Sequence, residues 1–210
     1  MFSIKKMPAL ALAAAATLAS LGAHAAPISL SSSAPGWLAI WSGDNLAGNH
    51  NINTAGLAFE AANGGWNTSN AYNDAAWATY TQPWVGNGGS ASPIYLRREF
   101  TLVGTPTLGS FITDVDDDSQ VWVNGTLVWN DTDGGYNGAI ALNILSYLRE
   151  GENLIAVKAH NTFGGGYVAS FSGSVDAVAA TVPEPGSLAL ASLALLGALG
   201  IRRKSAADKA

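Results

Sequence analysis

The chain has 210 residues, a formal net charge of −5 with 15 acidic side chains against 10 basic ones, and no cysteine. The missing cysteine excludes disulfide cross-links, zinc–thiolate centres and thiol nucleophiles. Between residues 26 and 180 the balance steepens to thirteen acidic residues against four basic, a net of −9. That charge argues against nucleic acid as a partner and suits neutral glycans or divalent cations.

The first element in the chain is an address. Lys5 and Lys6 give a positive start, Pro8 to Leu21 is almost wholly small and apolar, and Ala23-His24-Ala25 supplies an A-x-A cleavage site. This pattern predicts a secretory signal peptide over residues 1–25, with Ala26 opening the mature chain. Residues 26–180 then have the length of one domain.

From Trp37 to Trp77 the sequence is rich in Asn, Gly and Ala, and the expectation is strands joined by long loops. "IYLRREFTL" (Ile94 to Leu102) alternates. Ile94, Leu96, Arg98, Phe100 and Leu102 share one face, while Tyr95, Arg97, Glu99 and Thr101 share the other. A period of two predicts a half-buried strand. Arg97 and Arg98, being adjacent, point to opposite faces. One of them is expected to pair with an acidic neighbour, because a buried guanidinium needs a partner.

In "QVWVNGTLVW", Asn124-Gly125 separates two β-branched and aromatic runs and predicts a type I′ hairpin. Trp77 and Trp122 read as packing residues. Leu154 to Ala159 is a compact apolar strand. Tyr167 to Val175 alternates again, with Tyr167, Ala169, Phe171 and Val175 inward and Ser170, Ser172 and Ser174 outward. No stretch here sustains a helical period with caps. Many short strands between Gly, Asn and Asp turns predict an all-β fold, an antiparallel β-sandwich.

Pro183 and Pro185 hold residues 181–187 extended, as a linker. Leu188 to Ile201 is an apolar run of 14 residues, about 21 Å as a helix at ~1.5 Å per residue. A bilayer core of about 30 Å usually takes roughly 20 residues. Residues 188–210 therefore read as a short transmembrane helix with a basic tail, Arg202-Arg203-Lys204, retained on the cytoplasmic side by the positive-inside bias.

Val182-Pro183-Glu184-Pro185-Gly186, the short apolar helix and the basic cluster together resemble the PEP-CTERM sorting signal. The resemblance implies a Gram-negative envelope protein. Its tail would be held briefly in the inner membrane and processed by an exosortase-type protease. Such proteins commonly accompany exopolysaccharide production. The alternative is a plain C-terminal membrane anchor.

"YNDAAW", "PIYLRREFTL", "DVDDDSQVWVNGTLV" and "LREGENLIAVKAHN" follow one another between Tyr72 and Asn161. Together they resemble the galactose-binding-like jelly roll, as in the sugar-binding domain of family-2 glycoside hydrolases. That fold hosts both binders and scaffolds. "DDDSQVWVNG" is also similar to the lectin domain of the anthrax-protective-antigen type, where paired aspartates hold calcium.

Three sets of residues are candidates for chemistry. Asp114, Asp116 and Asp118 form a D-x-D-x-D run that places carboxylates near one hard cation such as calcium. Ser119 and Gly125 stand where an EF-hand loop needs Gly and Glu, so that motif fails. A solvated turn whose aspartates cap backbone amides is the other reading. Trp84, Trp129 and Tyr136 sit beside Gly- or Asn-rich stretches, as do Phe163 and Tyr167. A flat ring on a loop can stack on a sugar while nearby Asn and Asp bond its hydroxyls; core packing is the competing role.

Catalysis has thin support. His50 and His160 are the histidines of residues 26–180, and neither H-E-x-x-H nor G-x-S-x-G occurs. His160, at a strand end, reads as structural. The expected function is a non-catalytic exported envelope or matrix protein that binds carbohydrate or exopolysaccharide. The alternative is a structural or adhesion protein with no sugar ligand.

Overall fold

A computed structural model describes residues 26–42, 51–80, 84–85, 92–161 and 168–179, with 84–85 as backbone. The signal peptide with Ala23 and Ala25, the motif Pro183-Glu184-Pro185 and the apolar tail lie outside the described residues, as do His50, Phe163 and Tyr167. No helix among the described residues is long and apolar enough to cross a membrane.

In chain order the strands are β1 (Ile28–Ser29), β2 (Trp37–Trp41), β3 (Ala78–Thr79), β4 (Trp84–Val85), β5 (Ile94–Leu102), β6 (Thr105–Val115), β7 (Asp118–Val123), β8 (Thr126–Asn130), β9 (Ile140–Asn143), β10 (Gly151–His160) and β11 (Val168–Val178). One helix, α1 (Leu57–Ala62), and a 3-10 turn at Leu145–Tyr147 complete the elements. A five-stranded sheet runs β1-β11-β6-β9, with β4 also paired to β11; a six-stranded sheet runs β3-β2-β5-β10-β7-β8. Every described pairing is antiparallel. The fold is an all-β antiparallel sandwich.

The alternating strands place their apolar sides between the sheets. Leu96 and Phe100 of β5, Ile155 and Val157 of β10, and Val121 and Val123 of β7 meet Phe111 of β6 and Phe171 and Val175 of β11. Trp37 packs on Phe171 with ring centroids 5.0 Å apart. Burying each large apolar side chain contributes roughly 1.5–3 kcal/mol. The β7–β8 hairpin turns at Asn124 (φ 50°) and Gly125 (φ 83°), both in the left-handed region that a type I′ turn requires.

The six-stranded sheet departs from the half-buried expectation. The second face of β5 and β10 is also covered: Tyr95 and Arg97 are fully buried, and Lys158 is 1% exposed. The cover is residues 51–77, where the sequence suggested strands and loops and the structure has turns around α1. Tryptophans and a tyrosine supply the adhesive. Phe59 stacks on Tyr95 at 4.3 Å, and Trp66 meets Tyr95 at 4.8 Å and Trp122 at 5.2 Å edge-on. Gly56 (φ 76°) opens α1 where any Cβ would collide with the Tyr95 hydroxyl, so only glycine fits.

The charged residues on that face are paired. Arg97 donates to Asp74 at 2.8 Å, Glu99 at 2.6 Å and the Ser69 carbonyl at 2.9 Å. Its guanidinium also lies 5.0 Å from the Tyr72 ring centroid. Lys158 donates to Glu60 and to the Ile52 carbonyl, each at 2.6 Å. Burial lowers the Lys158 pKa, and the Glu60 carboxylate opposes that shift. Arg98 faces the inner core instead, 6.0 Å from the Trp37 ring centroid, where burial lowers its pKa.

Candidate functional site

One end of the sandwich gathers most of the candidate residues. There the chain passes from β6 to β7 through Asp116-Asp117, the 131–139 loop joins β8 to β9, and β10 ends at His160. Backbone bonds fix the three segments: the Asp117 N–H donates to the His160 carbonyl at 3.2 Å, and the Asp131 N–H to the Ser119 carbonyl at 2.9 Å. Asp118 and His160 are register partners across β7 and β10.

The D-x-D-x-D run does not converge on one point. Asp114, on β6, accepts a hydrogen bond from the Tyr136 hydroxyl at 2.9 Å. Asp116 sits beside Asp117, and burial first, then the hydrogen bond and charge of Asp117, push its carboxyl up to about 6. Asp118 alone of the three turns inward and joins Asp131 and Asp133, with ligand oxygens within 4.8 Å of one another. The turn between β6 and β7 explains the separation: β6 ends at Val115 in the five-stranded sheet and β7 begins at Asp118 in the six-stranded one, so the three residues do not share one strand face. Among the described residues, the carboxylates that come together are those of Asp118, Asp131 and Asp133.

Asp118 is fully buried and Asp131 is 8% exposed, while Asp133 is exposed. Asp118 Oδ1 accepts from the Gly134 N–H at 2.8 Å. Asn137 Nδ2 lies 3.0–3.2 Å from both oxygens of Asp131 and 3.2 Å from both oxygens of Asp133. Burial raises the Asp131 pKa, as do the charges of Asp133 and Asp118, against the hydrogen bond from Asn137. Asp131, Asp133 and Asn137 were not singled out in the sequence. The signal was present in "NDTDGGYN" (Asn130 to Asn137), whose D-x-D-G spacing follows a strand directly.

The aromatic candidates part company. Tyr136 is 59% exposed, and the hydrogen bond from its hydroxyl to Asp114 raises its pKa above the ordinary tyrosine value. Trp129 is half-buried against the inter-sheet core and donates from Nε1 to the Ser119 hydroxyl at 3.2 Å. Trp84 pairs through its backbone with Ala169; its side chain lies outside the described residues. Elsewhere a groove of about 400 Å³ runs along β6 and β9, lined by residues that include Leu108, Leu142 and Leu145 and by no titratable side chain.

Residues 181–204 match the PEP-CTERM protein-sorting motif. The chain thus carries a signal for export across the inner membrane to the cell envelope or beyond, with processing by exosortase-type machinery. No curated protein matches the chain in sequence. Similar solved structures include a glycosyl hydrolase family 2 member from Bacteroides cellulosilyticus DSM 14838 (TM-score 0.45, 20% identity, 70% of this chain and 20% of that one). Others are a calcium-binding mutant of Bacteroides uniformis beta-glucuronidase 2 (0.44, 16%, 69% and 18%) and a beta-glycosidase from Bacteroides vulgatus (0.43, 20%, 66% and 19%). The chain spans about a fifth of the length of these structures.

Proposed function

We propose that this exported chain is a non-catalytic module of the envelope or extracellular matrix that binds carbohydrate weakly through the Tyr136 loop. The observation that carries the reading is the exposed phenol ring, braced at its hydroxyl by Asp114. A flat ring held in one orientation loses little entropy on stacking against the apolar face of a sugar. The amide of Asn137 and the exposed carboxylate of Asp133 stand in the same loop to bond hydroxyl groups. Trp84 is a second candidate platform, and exopolysaccharide is the ligand class that fits a sorted protein of this charge.

A second reading, a structural or adhesion protein without a sugar ligand, is favoured by the apolar groove along β6 and β9, where Leu108 is 43% exposed. Retention of the exported protein on its host exopolysaccharide, and on a glycan array, separates the two. Carbohydrate binding requires retention that Tyr136→Ala weakens about tenfold, the loss of one stacked ring at ~1.4 kcal/mol per decade. No retention on either support leaves the adhesion reading standing.

A further inference from the structure

We infer that Asp118, Asp131 and Asp133 form a binding site for a hard divalent cation, calcium, with His160 as a positioning residue behind it. Three carboxylates from β7 and the 131–139 loop bring ligand oxygens within 4.8 Å of one another. Two of them are buried, where like charges repel most strongly. Neither Asp131 nor Asp133 forms an ion pair with Lys or Arg among the described residues. An all-oxygen ligand set of this kind suits calcium, which takes carboxylates and waters in flexible geometry.

The second observation is His160. Its side chain is fully buried, and neither ring nitrogen has a hydrogen-bond partner among the described residues. Nδ1 faces Asp118 Oδ2 at 3.9 Å, too long for a hydrogen bond. A buried imidazole with both nitrogens unsatisfied is costly and unusual. Ligating carboxylates ordinarily carry an outer hydrogen bond that aims them at the metal. A cation drawing on Asp118 gives the imidazole that role: Nδ1–H donates to Oδ2 while the carboxylate turns its electron density to the ion. Asp118 then connects the strand to the loop through the cation, as Gly134 N–H does already through Oδ1.

The inference shares Asp133 with the sugar reading, and its test stands apart from that reading because calcium alone is the probe. The exported protein is stripped with EDTA, dialysed and titrated with calcium chloride by calorimetry, with no carbohydrate present. Binding at a dissociation constant of about 10⁻⁴–10⁻³ M, the range of extracellular modules, is expected. Ten millimolar calcium then raises Tm by roughly 5 °C. Asp133→Asn, an exposed position that leaves the core untouched, weakens binding at least tenfold, whereas Glu150→Gln, far along the chain at an exposed turn, does not. The ¹⁵N resonances of the His160 ring shift on calcium addition. Absence of heat and of a Tm shift at 10 mM calcium overturns the site. So does unchanged affinity in Asp133→Asn, and binding with a silent His160 ring removes the histidine from it.

Discussion

Over the six-stranded sheet, buried cations meet their carboxylates: Arg97 has Asp74 and Glu99, and Lys158 has Glu60. At the loop end the situation is inverted, since Asp118, Asp131 and Asp133 crowd together, and the buried ring of His160 beside them makes no hydrogen bond among the described residues. The first arrangement brings each of these cations to a carboxylate, with Arg97 Nε the one atom of the two side chains that lacks a hydrogen-bond partner among the described residues. Its partners come from residues 60, 74 and 99, so it ties the 51–77 cover to β5 and β10. In the second, the neutral donors Asn137 and Gly134 bond the carboxylates, and neither Asp131 nor Asp133 pairs with Lys or Arg among the described residues. A buried ion-pair network ties elements of the fold together, whereas clustered carboxylates are the arrangement from which the cation site is inferred.

The comparison is broken most forcefully in the cover. Trp66→Ala removes a ring that is 3% exposed and touches Tyr95, Trp77 and Trp122. It should cost about 4 kcal/mol, as large aromatic truncations do, read as a lowered urea midpoint. Hydrogen exchange should rise in residues 51–77 ahead of β6 and β11. Equal exchange across both sheets would mean that the cover is not a separate layer.

Arg97→Ala comes next, at about 3 kcal/mol. Breaking a buried pair costs 3–5 kcal/mol, and this one is set at the low end because Asp74 and Glu99 are 26% and 40% exposed and keep some hydration. Equilibrium unfolding checks it, and a loss under 1 kcal/mol would make the ion pairs incidental.

Opposite in sign is the loop end. In EDTA, Asp133→Asn should stabilise the protein by about 0.5 kcal/mol, because one of three crowded charges disappears while the amide oxygen still accepts from the Gly135 N–H. Destabilisation in EDTA would place this cluster in the same class as the Arg97 network.

The smallest effect is spectroscopic. The Asp114 carboxylate accepts from the neutral Tyr136 phenol and so resists its ionisation. Tyr136 should therefore deprotonate at higher pH than a free tyrosine, and Asp114→Asn should bring it back down. Difference absorbance of phenolate between the two proteins reads this directly. Identical titrations would remove the brace from the proposed sugar platform.

Periodicity was enough for the inward faces. "IYLRREFTL" and the Ala169–Phe171–Val175 stripe of β11 announced the inter-sheet core, and Asn124-Gly125 announced its hairpin, because those signals are local. The outer face of β5 was not legible. One of Arg97 and Arg98 was expected to pair with an acid, as Arg97 does, but nothing within the strand tells which arginine is caged or that Tyr95 beside it is covered. The cage comes from Asp74 and Tyr72, some 25 positions away, and from a tryptophan cover with no helical or strand period of its own. The acidic grouping was hidden for a related reason: D-x-D-x-D is one motif in sequence, but the turn between β6 and β7 divides it between two sheets. Export, the acidic balance and the sandwich class were thus determined by the sequence, through composition, ordered motifs and alternation. Which charges are buried, and which carboxylates meet, was decided only by the tertiary structure, because burial and convergence depend on chain segments that local pattern cannot bring together.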